Sequence, residues 1–413
     1  MTLVPSKTTT QETSNAFIGL APFLRMSIAG EDLQPTCQHY LAQAELNPED
    51  GRVWMNLSTV MLCLGQHQLG LSIQSEALSM DRIYHLAAAM QPAKLRVLLL
   101  MAPGDLAANT PLDCLLENSD IDLVFYYVLA QTPFADPIPE HDILVVAMSE
   151  TDENRELLAL LEKNLSAWPK PIINAPQHIP STGRNIASTL LQGAPGLAIP
   201  ASWRISRDTL QGIAEEAQSP ATLFEDCHFP LIVRPIDSHA GRDLARIGTP
   251  AELTAYLSQV AEPEFFISKF IDYSSPDGLF RKFRVALIDG VPYACHMAVS
   301  AHWMIHYVNA GMYEDAAKRT EEERFMADFD NFARRHRAAL AAIHQRTGLD
   351  YLCIDCAEMQ NGDLLIFEID HAMVVHAMDS DALFPYKQHY MQKVKTAFRD
   401  YLIRLSADGL RKK

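Results

Sequence analysis

The chain has 413 residues, room for roughly two to four domains, and its 48% hydrophobic and 21% charged content is that of a soluble globular protein. A formal net charge of −17 argues against a general nucleic-acid binder, because phosphate contacts need a positive surface. Seven cysteines, odd in number and spread along the chain, do not make a disulfide framework and point to a reducing cytoplasm.

Residues 1 to about 30 read as a loosely ordered leader. The polar run Thr8–Asn15 has no apolar core of the secretory kind. No apolar run approaches the ~18 residues of a membrane span, so no membrane partner is expected. From Thr36 to about Ala89 the pattern is helical: Asn47-Pro48-Glu49-Asp50 precedes one helix, Gly65 makes a tight turn, and a second helix follows through Met80. Small residues fall where the two helices would cross. This unit resembles a tetratricopeptide repeat, with Tyr40 to Pro48 similar to the tail of another. Read from the residues alone, it is a capped helical hairpin packed on the next domain, or a docking surface for a peptide or protein.

A different regime starts at Lys94. Apolar strands at Leu95–Met101, Ile121–Leu129 and Asp142–Ala147 alternate with a short helix near Leu112 and an amphipathic helix over Asp152–Leu165, and a short strand follows at Pro171–Asn174. That alternation predicts a parallel, doubly wound sheet. Neither a Gly-x-Gly-x-x-Gly turn nor a Gly-Lys-Ser/Thr loop is present, which weakens dinucleotide and P-loop readings.

Further on, a helix at Arg184–Gln192 leads through Leu197–Pro200 to a strand at Phe229–Pro235 that ends in a cation. The loop 236–243 follows, and then a helix whose Thr249 and Glu252 form a capping pair. Strands at Glu264–Asp272 and around Arg281, Lys282 and Arg284 come next. The last clear pattern is a strand near Leu352 and Ile354, a turn at Asn361-Gly362-Asp363, and a second strand over Leu364–Asp370, a strong hairpin signal. Glu368 and Asp370 sit two apart and leave the sheet on one face, where Asp355 of the partner strand can approach. Three converging carboxylates suit Mg²⁺ bridging nucleotide phosphates; the bland alternative is a solvated strand end. Cys353 and Cys356 lie three apart on a strand and so face opposite ways, and no second pair completes a zinc site.

Arg234, Lys269, Arg281, Lys282 and Arg284 bring five cations into 51 residues of an acidic chain, ahead of the carboxylates. At this point the chain is similar to the ATP-grasp superfamily, in particular the ribosomal-protein glutamate ligases and bacterial glutathione synthetases. The likeness covers about Lys94 to Asp400. It implies an α/β class (α+β ATP-grasp) fold with an N-terminal all-α tetratricopeptide-like segment, divided as 1–92, 93–200 and 201–413, the last in lobes of about 201–272 and 273–413.

The resemblance further implies ATP and Mg²⁺ (or Mn²⁺) as cofactors. ATP would be held by Arg184, Arg234, Ser238, His239, Gly241, the hinge residues Ser268, Lys269, Phe270 and Ile271, and Lys282 and Arg284. Arg284 and Asn309 would serve the transferred phosphate, and Asp355, Glu368 and Asp370 the metal. Arginine stands at Arg234 and Arg184 where the family has lysine, which keeps charge but not geometry. Asp370 replaces the family's usual Asn, and the phosphate loop has one glycine, Gly241. His302 and His306 are four apart, the spacing that aligns side chains on a helix, and read with His371 as weak substrate-pocket candidates.

The first functional reading is an ATP-dependent carboxylate–amine ligase acting through an acyl phosphate, with small-molecule or peptide carboxylates and amines as partners. A kinase of a small hydroxylated substrate, and a repeat-bearing nucleotide-binding adaptor with little turnover, are the alternatives.

Overall fold

The computed structural model describes residues 15–411 apart from Pro133, Asp237, His239 and Ala240. Contacts gather the chain into two units, Met1–Gln177 with Ala372–Lys413, and His178–His371.

The first unit begins with α1 (Ala21–Ile28), inside the stretch expected to be a loosely ordered leader. Phe17 and Phe23 are buried there, and the buried carboxylate of Asp113 accepts the backbone N–H groups of Leu20 and Ala21 at 2.6 and 2.9 Å. Those amides have no partner within a helix, so a side chain 92 residues away fixes where α1 starts. The order of residues 15–30 is thus tertiary in origin, which is why local sequence did not announce it. Residues 1–14 lie outside the described part.

Three helices follow: α2 (Gln34–Leu46), α3 (Gly51–Cys63), capped by Asp50 through the Arg52 amide, and α4 (His67–Met80). The turn between α3 and α4 uses Gly65 at φ +74°, as the sequence predicts. Their close crossing is at Gly70, where a Cβ would stand 2.7 Å from Leu62 Cδ2; across the same gap Ser58 Oγ donates to the Gly70 carbonyl at 2.8 Å. Helix does not continue to Ala89. The chain leaves it at Asp81 and forms β1 (Ile83–Leu86). Tyr84 is buried there with its hydroxyl donating to the Ala77 and Asp81 carbonyls, so packing overrides the local helical pattern.

The sheet of this unit comprises β1, β2 (Leu95–Met101), β3 (Ile121–Tyr127), β4 (Ile143–Val146) and β5 (Ile172–Ile173), in the order β1-β3-β2-β4-β5. The last four are mutually parallel and β1 is an antiparallel edge. Between them lie α5 (Leu112–Leu115) and α6 (Arg155–Leu165), which turns Leu157, Leu158, Leu161 and Leu165 inward. Val97 to Leu100 are completely buried, the signature of a strand covered on both faces.

The second unit carries two sheets. After α7 (Arg184–Leu191) and β6 (Leu197–Ala198), a four-stranded antiparallel sheet is built from β7 (Ser202–Ser206), β8 (Leu231–Pro235), β9 (Ala245–Ile247) and β10 (Glu264–Lys269), ordered β7-β10-β8-β9. Helices α8 (Arg207–Ala214) and α10 (Pro250–Gln259) bury Leu210, Ile213, Leu253 and Leu257 against its Val233, Phe265 and Ile267; α9 (Pro220–Leu223) is a short intervening turn of helix. Thr249 caps α10 by accepting the Glu252 amide, while the Glu252 carboxylate reaches back to the Gly248 N–H rather than to that of Thr249.

A five-stranded sheet follows, from the long hairpin of β11 (Phe280–Ile288) and β12 (Val291–Ser300) and the hairpin of β13 (Tyr351–Glu358) and β14 (Leu364–Asp370), with β6 added in parallel to β14. The order is β12-β11-β13-β14-β6, which leaves β12 at an edge. The expected turn at Asn361-Gly362 is present. Helices α11 (Ala316–Ala327), α12 (Phe329–Arg335) and α13 (Arg337–Thr347) link the two hairpins, and the tilted rings of Phe325 and Phe332 pack against Phe283.

The final helix, α14 (Lys387–Arg411), belongs to the first unit, where Arg399 makes a two-point pair with Asp120 just ahead of β3. Among the described residues no helix is long and apolar enough to cross a membrane.

Candidate functional site

In the five-stranded sheet Arg284 of β11 stands directly opposite Asp355 of β13, and Asp355 stands opposite Glu368 of β14. Residues opposite one another share a face, so one cation and two carboxylates form a row across three neighbouring strands. A bulge makes the row possible. The register shifts between Asp355 and Cys356, leaving Phe367 as the extra residue of β14. An extra residue reverses the alternation, so Ile366 turns into the core and Glu368 joins the row.

Asp355 is 2% exposed. Its carboxylate accepts Arg284 Nε at 2.8 Å and Nη2 at 3.0 Å, and Lys282 Nζ lies 2.7 Å away. Burial pushes the carboxyl up, but the Arg284 and Lys282 charges outweigh it and leave it far below the usual carboxylate range. For Arg284 burial acts downward, and the Asp355 charge overcomes it, raising the guanidinium above its ordinary value.

Glu368 has a different partner. Arg184, the first residue of α7, donates Nη2 to Glu368 Oε1 and Nη1 to the Phe367 carbonyl at 3.4 Å. Burial raises the Glu368 carboxyl, and Arg184 and then Arg234 pull it below its ordinary value. Arg234 of β8 donates to both the hydroxyl and the carbonyl of Ser238, itself 3% exposed. Burial, then the nearby Arg184 charge, lowers Arg234 to about 10. His306 is lowered as well, by burial and by the Lys282 and Arg284 charges. Four cations therefore face two carboxylates, a local positive excess in a chain of net charge −17.

The remaining candidates are placed as follows. In β10 the Ser268 backbone is laddered on both sides, to Ser202 and Ile232, and Lys269 pairs with Asp226 at 2.8 Å. Phe270 donates its N–H to the Pro230 carbonyl, with the Arg246 guanidinium 4.6 Å from its ring centroid and Trp303 at its edge. Ile271 packs on Tyr273, Ala357 and Leu365. Gly241 has φ +76°, and a Cβ there would lie 3.3 Å from Met304 Sδ. His239 lies outside the described residues.

Asn309 is exposed at the end of a 3₁₀ turn, its Oδ1 accepting the His306 N–H at 2.9 Å. His302 and His306 are not on a helix, contrary to what their spacing allowed: they belong to the irregular segment between β12 and that turn, and His302 is exposed. Asp370 lies opposite Cys353, and His371 is wholly buried with Nδ1 3.6 Å from Asp370 Oδ1. Cys353 and Cys356 are free and buried. One residue escaped the sequence reading: Glu322, buried at the centre of α11, accepts the Tyr307 hydroxyl. A single acid in a charged helix carries no signal of burial.

Among the described residues no three His, Cys, Asp or Glu side chains gather in a metal-holding group. Asp355 and Glu368 do supply two hard oxygen donors opposite each other. That set fits Mg²⁺, which takes one or two carboxylates and completes its shell with water and phosphate.

No protein-family model and no curated protein sequence matches the chain. Solved structures similar to it include the D-alanine–D-alanine ligase of Bacillus anthracis complexed with ATP, at 14% identity over 76% of this chain and 99% of that one, with a TM-score of 0.45. The D-alanine–D-alanine ligase of Coxiella burnetii is similar at 13% identity over 77% and 97%, with a TM-score of 0.47. A RimK domain ATP-grasp protein of Sphaerobacter thermophilus is similar at 13% identity over 75% and 99%, with a TM-score of 0.42.

Proposed function

We propose that the chain is an ATP-dependent carboxylate–amine ligase of the ATP-grasp kind, with the row Arg284–Asp355–Glu368 and its flanking cations as the nucleotide site. The observation that carries this reading is the gathering of four cations, Lys282 and Arg284 of β11, Arg184 of α7 and Arg234 of β8, around the Asp355–Glu368 pair. Such a cluster is incomplete by itself. Burial first, and Arg184 repulsion second, lower Arg234; a polyanion relieves the repulsion, and a triphosphate has the oxygens to take up Arg184, Arg234, Lys282 and Arg284 together. Asp355 and Glu368, freed from those partners, would hold Mg²⁺, with Asp370 further along the same strand. The ion supplies charge neutralisation at the phosphate oxygens.

The chain's own contribution is positioning and electrostatics, as phosphoryl transfer requires. Arg284 and Lys282 hold and neutralise the transferred phosphoryl oxygens. The Phe270 carbonyl and its apolar neighbours would receive the base, since the Phe270 N–H already donates to Pro230. Ser238, held by Arg234, would border the phosphates and help keep water from the activated carboxylate. In the reaction a substrate carboxylate oxygen takes the terminal phosphoryl group and ADP leaves. An amine then displaces phosphate from the acyl carbon and loses a proton, giving an amide.

The test is ADP release from Mg·ATP with pooled amino acids and peptides and with hydroxylamine present. Pool-dependent release with hydroxamate formation, lost in Glu368→Gln, is expected. Release without hydroxamate would replace the ligase with a kinase, and absence of Mg·ATP binding would remove the nucleotide site altogether.

A further inference from the structure

The first unit holds a cavity of about 340 Å³ that the nucleotide reading does not use. Its walls come from the starts of β2, β3 and β4 and from Lys170 just ahead of β5, the amino-terminal edge of the parallel sheet. Small-molecule sites span about 300–1,000 Å³ and are mostly apolar. The walls here instead carry three cations, Lys94, Arg96 and Lys170, and three carboxylates, Asp122, Glu140 and Asp142. Two of the carboxylates are already engaged. Asp122 is buried with Oδ1 accepting the Ala88 N–H at 2.8 Å, and Asp142 Oδ2 accepts the Arg96 N–H at 2.8 Å. Glu140 is exposed and has no hydrogen bond or ion pair among the described residues.

Arg96 is the unfinished cation. A guanidinium takes a carboxylate at two points through Nε and Nη2, as Arg204 does with Glu264, Arg284 with Asp355 and Arg399 with Asp120. In Arg96, Nη2 stands 3.5 Å from Asp122 Oδ2, an oxygen equally far from His85 Nε2, and Nε is buried without an acceptor. A buried donor left unpaired costs free energy that an incoming oxygen recovers. The side chain keeps 41% exposure, enough freedom to turn that edge into the cavity. Lys170 donates one of its three ammonium protons to the His141 carbonyl, which leaves two for a ligand. The frame behind them is fixed. An indole can only donate, so the 3.2 Å bond from Trp168 makes His141 Nε2 the acceptor, and Nδ1 carries the proton toward the Pro139 carbonyl at 2.8 Å. The two rings also stack, 5.6 Å apart. Burial lowers the His141 pKa, so this residue contributes shape and a carbonyl anchor rather than charge.

We propose that this cavity binds a small zwitterion of the free amino-acid class, with its carboxylate on Arg96 and Lys170 and its ammonium on Glu140. The balance of charge selects that class. Three carboxylates among the walls oppose a phosphate or other polyanion, since like charges brought together are costly. A ligand with one head of each sign fills both the open guanidinium edge and the free carboxylate. The inference does not rest on the nucleotide chemistry, because none of these residues is assigned to it.

The experiment titrates glycine, acetate and methylammonium into full-length wild type, Arg96→Gln and Glu140→Gln in a calorimeter. Glycine carries both heads and no side chain, and each of the others carries one head. Amide exchange in peptides covering 93–97, 139–143 and 168–171 locates the bound molecule. Glycine should bind wild type and slow exchange in those peptides. Acetate and methylammonium should bind about tenfold more weakly or worse, a factor of the size one hydrogen bond to a charged group supplies. Arg96→Gln should weaken glycine by about tenfold or more, and Glu140→Gln should erase the advantage of glycine over acetate. Both side chains are at least partly exposed, so the variants should fold, and unchanged exchange in β2 and β3 beyond residue 97 checks it. No protection of the three peptides by glycine would overturn the site, even if glycine binds elsewhere on the protein. Acetate binding as tightly as glycine, or undiminished glycine binding by Arg96→Gln, would overturn the zwitterion assignment.

Discussion

Arg284 and Asp355 face each other across neighbouring strands and meet through two parallel hydrogen bonds, Nε to Oδ1 at 2.8 Å and Nη2 to Oδ2 at 3.0 Å. Two-point geometry of this kind is the strongest arrangement open to a guanidinium and a carboxylate. Because Asp355 is almost wholly buried, the pair also costs desolvation, and its net worth depends on remaining complete.

Asp355→Asn should therefore destabilise the protein, by less than the ~3–5 kcal/mol of a fully buried pair because the Arg284 side chain keeps 20% exposure. Urea unfolding measures it. The double variant Arg284→Met, Asp355→Leu should be more stable than the single one, since Lys282, 20% exposed, can turn to solvent. Equal stability of Asp355→Asn and wild type would show that the pair is not desolvated.

Glu368→Gln should leave the melting temperature within a few degrees of wild type while removing pool-dependent ADP release. Its partner Arg184 is partly exposed and can be rehydrated, so the loss in stability is small. Calorimetry and the ADP assay on one preparation decide it; retained turnover would remove Glu368 from the site.

The pair of Asp120 with Arg399 ties α14 to the first unit, with both bonds at 2.6 Å. Hydrogen bonding from Arg399 lowers the Asp120 carboxyl and outweighs burial. A carboxyl depressed in the folded state contributes stability that is present above its unfolded value, about 3.9, and is lost as pH falls below it. Unfolding free energy should thus decline from about pH 5 downward, and Asp120→Asn should flatten that slope. An identical slope in the variant would show that the pair does not persist in solution.

Gly70→Ala sets two effects against each other. Alanine favours helix over glycine by about 1 kcal/mol. Its Cβ, however, would stand 2.7 Å from Leu62 Cδ2 and 2.8 Å from Cγ, with Leu62 buried and unable to swing clear. Overpacking of that kind costs about 1–3 kcal/mol, so the net change should be a loss of stability, read as a lower thermal midpoint. A rise would show that α3 and α4 can separate freely.

What the sequence by itself determined is local. The apolar runs at Leu352–Ile354 and Leu364–Asp370 with the Asn361-Gly362 turn between them specify the β13–β14 hairpin, since strand pairing through a tight turn needs no distant partner. The α3–Gly65–α4 hairpin, the parallel strands β2 to β5 and the Thr249 cap were legible for the same reason. The two-residue spacing of Glu368 and Asp370 was legible, but the three-carboxylate cluster expected from it does not form a metal-holding group among the described residues.

Tertiary structure decided everything that depends on which distant groups meet. Arg184 finds Glu368 across 184 residues, and Asp113 reaches back to start α1 across 92. Helix gave way to β1 because a sheet edge and the burial of Tyr84 outweighed local propensity. The bulge at Phe367, which selects the face Glu368 occupies, follows from pairing with β13 and has no mark in its own strand. Helical and strand periodicities are written in neighbouring residues, whereas charge pairing and desolvation depend on the whole fold, and those are the terms that make the site.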